Sequence, residues 1–335
     1  MQAFNYTRAT SIDQAIEASA HATTAQQGAD IRFVAGGTTL IDLMKLDVEQ
    51  PLHVIDINRL PLAAIEHDTD GGFRIGALVR NADMANHPEI QKHYPVLSQA
   101  LLSGASGQLR NMATTGGNLL QRTRCVYFRD VHSACNKRSP GSGCAAMAGY
   151  NRNLAILGGS DHCIATNPSD MNVALTALDA VVSISGPKGR REVPIREFFL
   201  LPGDTPQLET VMGPGDLITH VSVPKPQAKA ASLYLKLRDR ASYEFALASV
   251  AIVLTLDGRN IHDVAIAMGG IGTRPWRSDE AERLLRGKPP GAALFQKAAQ
   301  AFLAGATPHS GNDFKIELAR RCLEKALNDA CLAAA

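Results

Sequence analysis

The chain has 335 residues, of which 45% are hydrophobic and 20% are charged, and its formal net charge is +2 at pH 7. This length permits two or three domains with buried cores, and the small charge gives no indication of a polyanionic partner such as nucleic acid. The longest nearly apolar stretch, from Phe245 to Leu256, is too short to span a bilayer and is typical of a buried strand.

The first sixty residues alternate strand and helix patterns. In the order strand, helix, strand, helix, strand, these segments are 3–6, 12–22, 31–37, 38–47 and 53–57. Ser11 followed three residues later by Gln14 has the pattern of a capping box and predicts the start of the first helix. The sequence therefore predicts a small α/β unit at the beginning of the chain.

The pattern changes after about Leu60. Two strands flank an Asp-Gly-Gly turn in 62–79, a helical stretch interrupted at Pro88 and Pro95 covers 81–106, and a helix at 171–180 leads to a hairpin at 181–195. A polar stretch rich in Pro, Lys and Ala predicts a domain boundary near residue 225. Beyond it, three strands and then three helices are predicted in the segments 233–239, 245–258, 262–272, 278–288, 291–305 and 314–334.

Two glycine turns are the first candidates for ligand binding. They lie in Val34–Leu40 and Arg110–Gln121, and the chain has neither a Rossmann fingerprint nor a P-loop. Adjacent glycines allow backbone N–H groups to converge on an anion, and a helix beginning at Thr38 or Thr39 would direct its positive end at the same anion. A diphosphate would suit such a site, whereas the simpler interpretation is that each glycine pair only forms a tight turn.

Four of the six cysteines share one stretch with the spacing C-x9-C-x8-C-x18-C. No short C-x2-4-C pair of a structural zinc site is present, so the spacing alone leaves a metal or cluster site and structural or disulfide cysteines as open alternatives. Basic residues accompany these thiols, with Asp130 as the only acid nearby in the sequence: Arg122, Arg124, Arg129, Lys137, Arg138 and Arg152. We expect them to lower the thiol pKa values and to favour a site of negative charge, unless they form a basic surface that docks an acidic partner. His132 and His162 are expected to be solvated loop residues, and Cys322 and Cys331 buried helix residues.

The segments FVAGGTTLIDLMKL, LRNMATTGGNLL and PSDMNVALTALDA resemble the FAD-binding medium subunit of the xanthine dehydrogenase family of molybdenum hydroxylases. The segments KLRDRASYEFALASVAIVL and MGGIGTRPWRSDEAERLL resemble the C-terminal domain of the same subunit. The resemblance implies an α+β fold, in which a two-subdomain FAD-binding domain at 1–225 precedes a C-terminal α+β domain at 226–335. The subdomains would cover about 1–60 and 61–225.

The resemblance also implies a set of FAD-binding residues. In the first glycine turn they are Arg32, Phe33, Val34, Ala35, Gly36, Gly37, Thr38, Thr39 and Leu40, and in the second they are Thr114, Gly117 and Asn118. Asp170 would bind the FAD polyol, and Lys236 would lie near the flavin. No catalytic residue is expected in this chain, because no substrate base or nucleophile is evident.

Two branches of the family carry a four-cysteine insertion that holds a [4Fe-4S] cluster beside FAD. The insertion at 122–165 resembles that of periplasmic aldehyde oxidoreductases, which implies that Cys125, Cys135, Cys144 and Cys163 are the cluster ligands. The alternative branch is the β subunit of 4-hydroxybenzoyl-CoA reductase. A zinc-loop interaction module without flavin and a flavin oxidase acting without partners are further alternatives.

The resemblance implies an αβγ heterotrimer. A large partner would hold the molybdenum cofactor and oxidise aldehydes to carboxylic acids, a small partner would hold two [2Fe-2S] clusters, and this chain would pass their electrons through FAD to an external acceptor. The N-terminal sequence has neither a basic stretch followed by an apolar one nor twin arginines. We therefore expect a periplasmic location through export with a signal-bearing partner, with a cytoplasmic location as the alternative, and no membrane insertion.

Overall fold

The computed structural model describes residues 1–335, which form three separate sheets. The first sheet is parallel, with the strand order β1-β3-β2. Its elements are β1 (Asn5–Arg8), α1 (Ile12–Ser19), β2 (Ile31–Val34), α2 (Leu40–Lys45) and β3 (His53–Asp56). Ser11 caps α1 as predicted, because its hydroxyl accepts the backbone N–H of Gln14 at 3.1 Å.

The second sheet is antiparallel, with the strand order β4-β5-β8-β6-β7. Its strands are β4 (Ile65–His67), β5 (Phe73–Gly76), β6 (Val181–Gly186), β7 (Gly189–Pro194) and β8 (Leu217–Val223). The helices of this part are α3 (Asn81–Asn86), α4 (Pro88–His93), α5 (Pro95–Ser103), α6 (Gly107–Met112), α7 (Thr115–Leu119), α8 (Val126–Arg129), α9 (Asp170–Ala177) and α10 (Ile195–Phe198). Residues of α5 and α9 share the largest hydrophobic core of the molecule with strands of this sheet and with residues of the third sheet, which is described next.

The third sheet is antiparallel, with the strand order β12-β11-β10-β9, and three helices follow its strands. The elements are β9 (Ala231–Leu237), β10 (Ala248–Asp257), β11 (Asn260–Gly269), β12 (Trp276–Arg277), α11 (Asp279–Leu285), α12 (Ala292–Phe302) and α13 (Phe314–Ala334). Cys322 and Cys331 on α13 are both buried in this core, as expected. None of the helices combines the length and the apolar character needed to cross a lipid bilayer.

The four-cysteine segment at 122–165 has little regular structure, and hydrogen bonds hold its later residues. The N–H groups of Ile156 and Leu157 donate to the carbonyl of Ile271 at 2.8 and 3.0 Å, so the end of the segment is bonded to the third part of the molecule. The buried Lys315 ammonium donates to the carbonyl of Leu154 at 2.9 Å and to that of Gly270. The segment is therefore attached to the elements around the third sheet.

The predicted α+β fold is confirmed, and the differences from the predicted elements are local. The predicted helix at 38–47 covers only Leu40–Lys45, since Gly37 before it and Asp47 after it have positive φ angles of 73° and 56°. The two-residue strand β12 was not predicted, because two residues are too few to show the alternation of apolar and polar side chains that identifies a strand. The helical stretch at 81–106 divides at Pro88 and Pro95, as expected.

Candidate functional site

The first glycine turn, residues 35–40, connects β2 to α2 and leaves its backbone donors free. None of the five consecutive N–H groups from Gly36 to Leu40 donates to a backbone acceptor. Gly37 adopts a φ of +73°, which allows the chain to turn so sharply. Since α2 has only six residues, the free N–H groups of the turn itself, rather than a long helix dipole, provide the attraction for an anion.

The second glycine turn, residues 113–118, has a different construction. Its N–H groups from Thr115 to Asn118 all find acceptors in the protein, which are Val79 O, Ala77 O, the Thr114 hydroxyl and Thr114 O. For the backbone of the second turn, the simpler interpretation as a tight turn therefore applies. Asn118 still offers donors, because its Oδ1 accepts from Gln121 and from the Ser169 hydroxyl at 2.8 Å, which leaves its amide N–H groups available.

The two turns touch each other backbone to backbone. A Cβ atom added at Gly36 would lie 1.9 Å from the carbonyl oxygen of Met112, directly before the second turn. Arg80 donates to that same oxygen at 2.5 Å and also to Asn58, so the carbonyl is held in place. Only glycine at position 36 permits this close approach.

Two cavities open on either side of this contact. The smaller, of about 210 Å³, is lined by the first turn together with Phe33, Ala77 and Thr114. The larger, of about 790 Å³, is lined by residues that include Asn118 and Asp170. Thr38, Thr39 and Gly117 line both, so one extended ligand can pass the turns and occupy the two cavities together.

Asp170 and Lys236 form a buried ion pair at the larger cavity. Lys236 Nζ lies 2.8 Å from Asp170 Oδ2, and the two side chains are only 4% and 9% exposed. The Tyr234 hydroxyl donates to Asp170 Oδ1 at 2.5 Å, and burial together with this carboxylate raises the Tyr234 pKa well above its usual range. Sequence reasoning missed Tyr234, although its place two residues before Lys236 on β9 puts both side chains on one face.

The other predicted FAD-binding residues differ in whether they line the two cavities. The Arg32 guanidinium is engaged with protein groups, since it lies 2.8 Å from Glu49 Oε2 and 2.8 Å from the carbonyl of Ala25. Leu40 lines the smaller cavity, whereas Val34 lines neither. The roles of these residues in binding a cofactor stay predictions.

The four cysteines of the 122–165 segment come together in one hydrophobic cluster and form no disulfide. Cys125, Cys135 and Cys163 are buried and Cys144 is half-buried, and the backbones of Cys135 and Cys144 pair in a short antiparallel bridge. Burial raises the pKa of Cys125 to about 11 and also raises that of Cys163. No three Cys, His, Asp or Glu side chains converge tightly enough to ligate one metal ion.

The basic residues around these cysteines are paired with acids from distant parts of the chain. The pairs are Arg129 and Arg124 with Asp42, Arg122 with Glu49 and Glu209, Lys137 with Glu209, and Arg152 with Asp239. Arg138 donates to backbone carbonyls, including that of Tyr127 at 2.6 Å. The expectation that basic neighbours lower the thiol pKa values is therefore wrong for Cys125 and Cys163, where burial dominates. His132 and His162 are exposed, as expected.

Two family profiles match nearly the whole chain. Residues 2–226 match the FAD binding domain in molybdopterin dehydrogenase, and residues 233–330 match the CO dehydrogenase flavoprotein C-terminal domain. The region matched by the first profile contains both glycine turns, Asp170 and the four-cysteine segment, and the region matched by the second contains Lys236.

Curated relatives and solved structures agree with these profiles. The chain is 48% identical over 335 residues to the aldehyde oxidoreductase FAD-binding subunit PaoB of Escherichia coli, which covers 98% of this chain and 99% of that one. It is 30% identical over 286 residues to the glyceraldehyde dehydrogenase medium chain of Sulfolobus acidocaldarius, and this match covers 85% of this chain and 82% of the relative. Carbon monoxide dehydrogenase from Hydrogenophaga pseudoflava superposes with a TM-score of 0.77 at 26% identity and covers 100% of this chain and 99% of that one.

Proposed function

The chain belongs to the molybdenum hydroxylase family as an FAD-binding medium subunit, and we propose that it is the electron-transfer subunit of an aldehyde oxidoreductase. The resemblance carried by its glycine turns is thereby confirmed, and the chain is an oxidoreductase subunit. The aldehyde specificity is supported by the 48% identity to a subunit of an aldehyde oxidoreductase.

The observation that carries the proposal is the row of five free backbone N–H groups at Gly36–Leu40, placed where two cavities meet. The diphosphate of FAD needs converging donors of this kind, and its two ends need space on either side. Asp170 can accept hydrogen bonds from the polyol, while Lys236 and Tyr234 hold its carboxylate in position. When bound, FAD supplies one-electron and two-electron transfer.

The finer part of the proposal is that Cys125, Cys135, Cys144 and Cys163 bind a [4Fe-4S] cluster. The donor set fits, because the four thiols share one mostly buried cluster and none of them is used in a disulfide. The backbone N–H of Ala165 donates to the Cys163 sulfur at 3.5 Å. Such hydrogen bonds suit cluster thiolates, and a cubane with one thiolate per iron holds its sulfurs farther apart than a single ion does.

The proposed assembly is an αβγ heterotrimer in which this chain receives electrons from a small [2Fe-2S] subunit and a large molybdenum subunit oxidises the aldehyde. This chain would deliver the electrons to an external acceptor. The proposed location is the periplasm, reached by export with a signal-bearing partner. Its relatives include the FAD-binding subunit of an aldehyde oxidoreductase and the medium chains of two other dehydrogenases, which supports a multisubunit enzyme.

The test is cofactor analysis of the chain co-expressed with its neighbouring subunits. We expect one FAD and about four irons with matching sulfide per chain, since each cubane iron takes one cysteine. In a Cys135→Ser variant the iron should fall while measurable flavin remains, and in the matched control Cys331→Ser, at a buried cysteine of α13, both should be kept. Flavin without iron in the wild-type chain would contradict the cluster, and the absence of both cofactors would contradict the whole proposal.

A further inference from the structure

Helix α2 lies between the first glycine turn and the four-cysteine segment. On one side, its first turn is bonded to the glycine turn, because the N–H of Ile41 donates to Gly37 O and that of Leu43 to Thr39 O, both at 3.0 Å. On the other side, the Leu43 side chain is buried in the same hydrophobic cluster as the cysteines. A shift of α2 therefore moves the row of free N–H groups.

Arginines of the cysteine segment bind α2 and the residues that follow it. Arg129 donates two hydrogen bonds to the two carboxylate oxygens of Asp42, at 2.8 and 3.1 Å, and Arg124 lies 3.4 Å from the same carboxylate. Arg122 lies 2.6 Å from the buried Glu49, four residues after α2. A bidentate arginine–carboxylate contact fixes orientation as well as distance, which a single lysine contact does not.

We propose that Asp42 is a positioning residue for FAD, which ties the diphosphate-binding turn to the four-cysteine segment through Arg129. Resting on the proposed function, this inference adds that the cysteine segment supports the flavin site mechanically. Asp42 itself lies at the α2 side of the larger cavity and acts on the cofactor through α2. The affinity for FAD then depends on whether the segment is in place.

The experiment measures the Kd for FAD by flavin fluorescence in the purified complex after flavin removal, with iron content followed in parallel. The variants are Asp42→Asn, Arg129→Gln and their double variant. Because a partly exposed ion pair contributes modestly, we expect each single variant to raise the Kd about fivefold and the double variant to raise it no further. The matched control is Asp263→Asn, which removes an Asp–Arg pair of nearly equal exposure, 38% against 40% for Asp42, near α11.

Three results would overturn the inference. One is an FAD Kd that is the same in Asp42→Asn as in the wild type, while the wild-type chain binds both cofactors. This result would contradict the inference and leave the proposed function intact. Another is a double variant whose effect is the product of the two single effects, since independent sites do not share one contact. The third is an equal weakening in Asp263→Asn, which would show a general loss of stability. A wild-type chain without flavin would instead contradict the proposed function itself.

Discussion

Replacing Gly36 by alanine tests the contact between the two turns directly. The added Cβ would lie 1.9 Å from Met112 O, 2.7 Å from Met112 C and 3.1 Å from the Ala113 Cα, all of them backbone atoms. Since Arg80 holds the Met112 carbonyl, relief requires the two turns to separate by about 1 Å or more, beyond the separation that packed atoms tolerate. Overpacking of this kind costs about 1–3 kcal/mol, which corresponds to an FAD Kd raised by about fivefold to about 150-fold.

The assay is FAD binding by fluorescence, together with the thermal unfolding midpoint of the flavin-free chain. The control is Gly107→Ala at the start of α6, where an added Cβ has no neighbour within 4 Å. We expect this control to bind FAD like the wild type. A Gly36→Ala chain with the wild-type FAD affinity would refute the reasoning, because the turns would then tolerate the separation without losing the cofactor.

Two further predictions concern buried lysines. Lys236→Met leaves the buried Asp170 with only Tyr234 as a partner and should lower the free energy of unfolding, measured in urea titrations, by about 3 kcal/mol. The control is Lys325→Met, at an exposed pair with Asp329 of the same 2.8 Å length, which should lower it by about 0.5 kcal/mol or less. Equal losses in the two variants would contradict this prediction. Burial lowers the pKa of Lys315 to about 7, so the unfolded chain binds this proton more tightly, and stability should rise by about 1 kcal/mol per pH unit from about pH 7 to 9 relative to Lys315→Met. Parallel pH profiles of the two chains would exclude this assignment.

The sequence was sufficient for features that depend on neighbouring residues. The Ser11 cap, the division of the helical stretch at Pro88 and Pro95, and the position of the first glycine turn all follow from local chemistry, and all occur in the structure. Long buried strands such as β10 could likewise be predicted, because a short continuous apolar run between turn residues is typical of a buried strand.

Features that depend on partners far along the chain could not be predicted. The cysteine segment contains only two acids of its own, Asp130 and Asp161, but the fold brings in Asp42 and Glu49, each more than seventy residues from its arginine partner. The second glycine turn resembles the first in sequence, yet the residues that follow β5 supply Ala77 O and Val79 O as acceptors to its N–H groups. The glycines of a turn indicate which backbone conformations it can adopt, but they do not show whether its N–H donors are free.

Helix α13 has a consequence for the order in which the molecule matures during synthesis. Its side chains complete the core of the third sheet, and Lys315 near its start secures Leu154 of the cysteine segment. Because α13 follows every other element along the chain, the parallel first sheet leaves the ribosome and can fold long before this support arrives. The cysteine segment therefore acquires its final support only after α13 has been translated, so it reaches its fully supported form late in the synthesis of the chain.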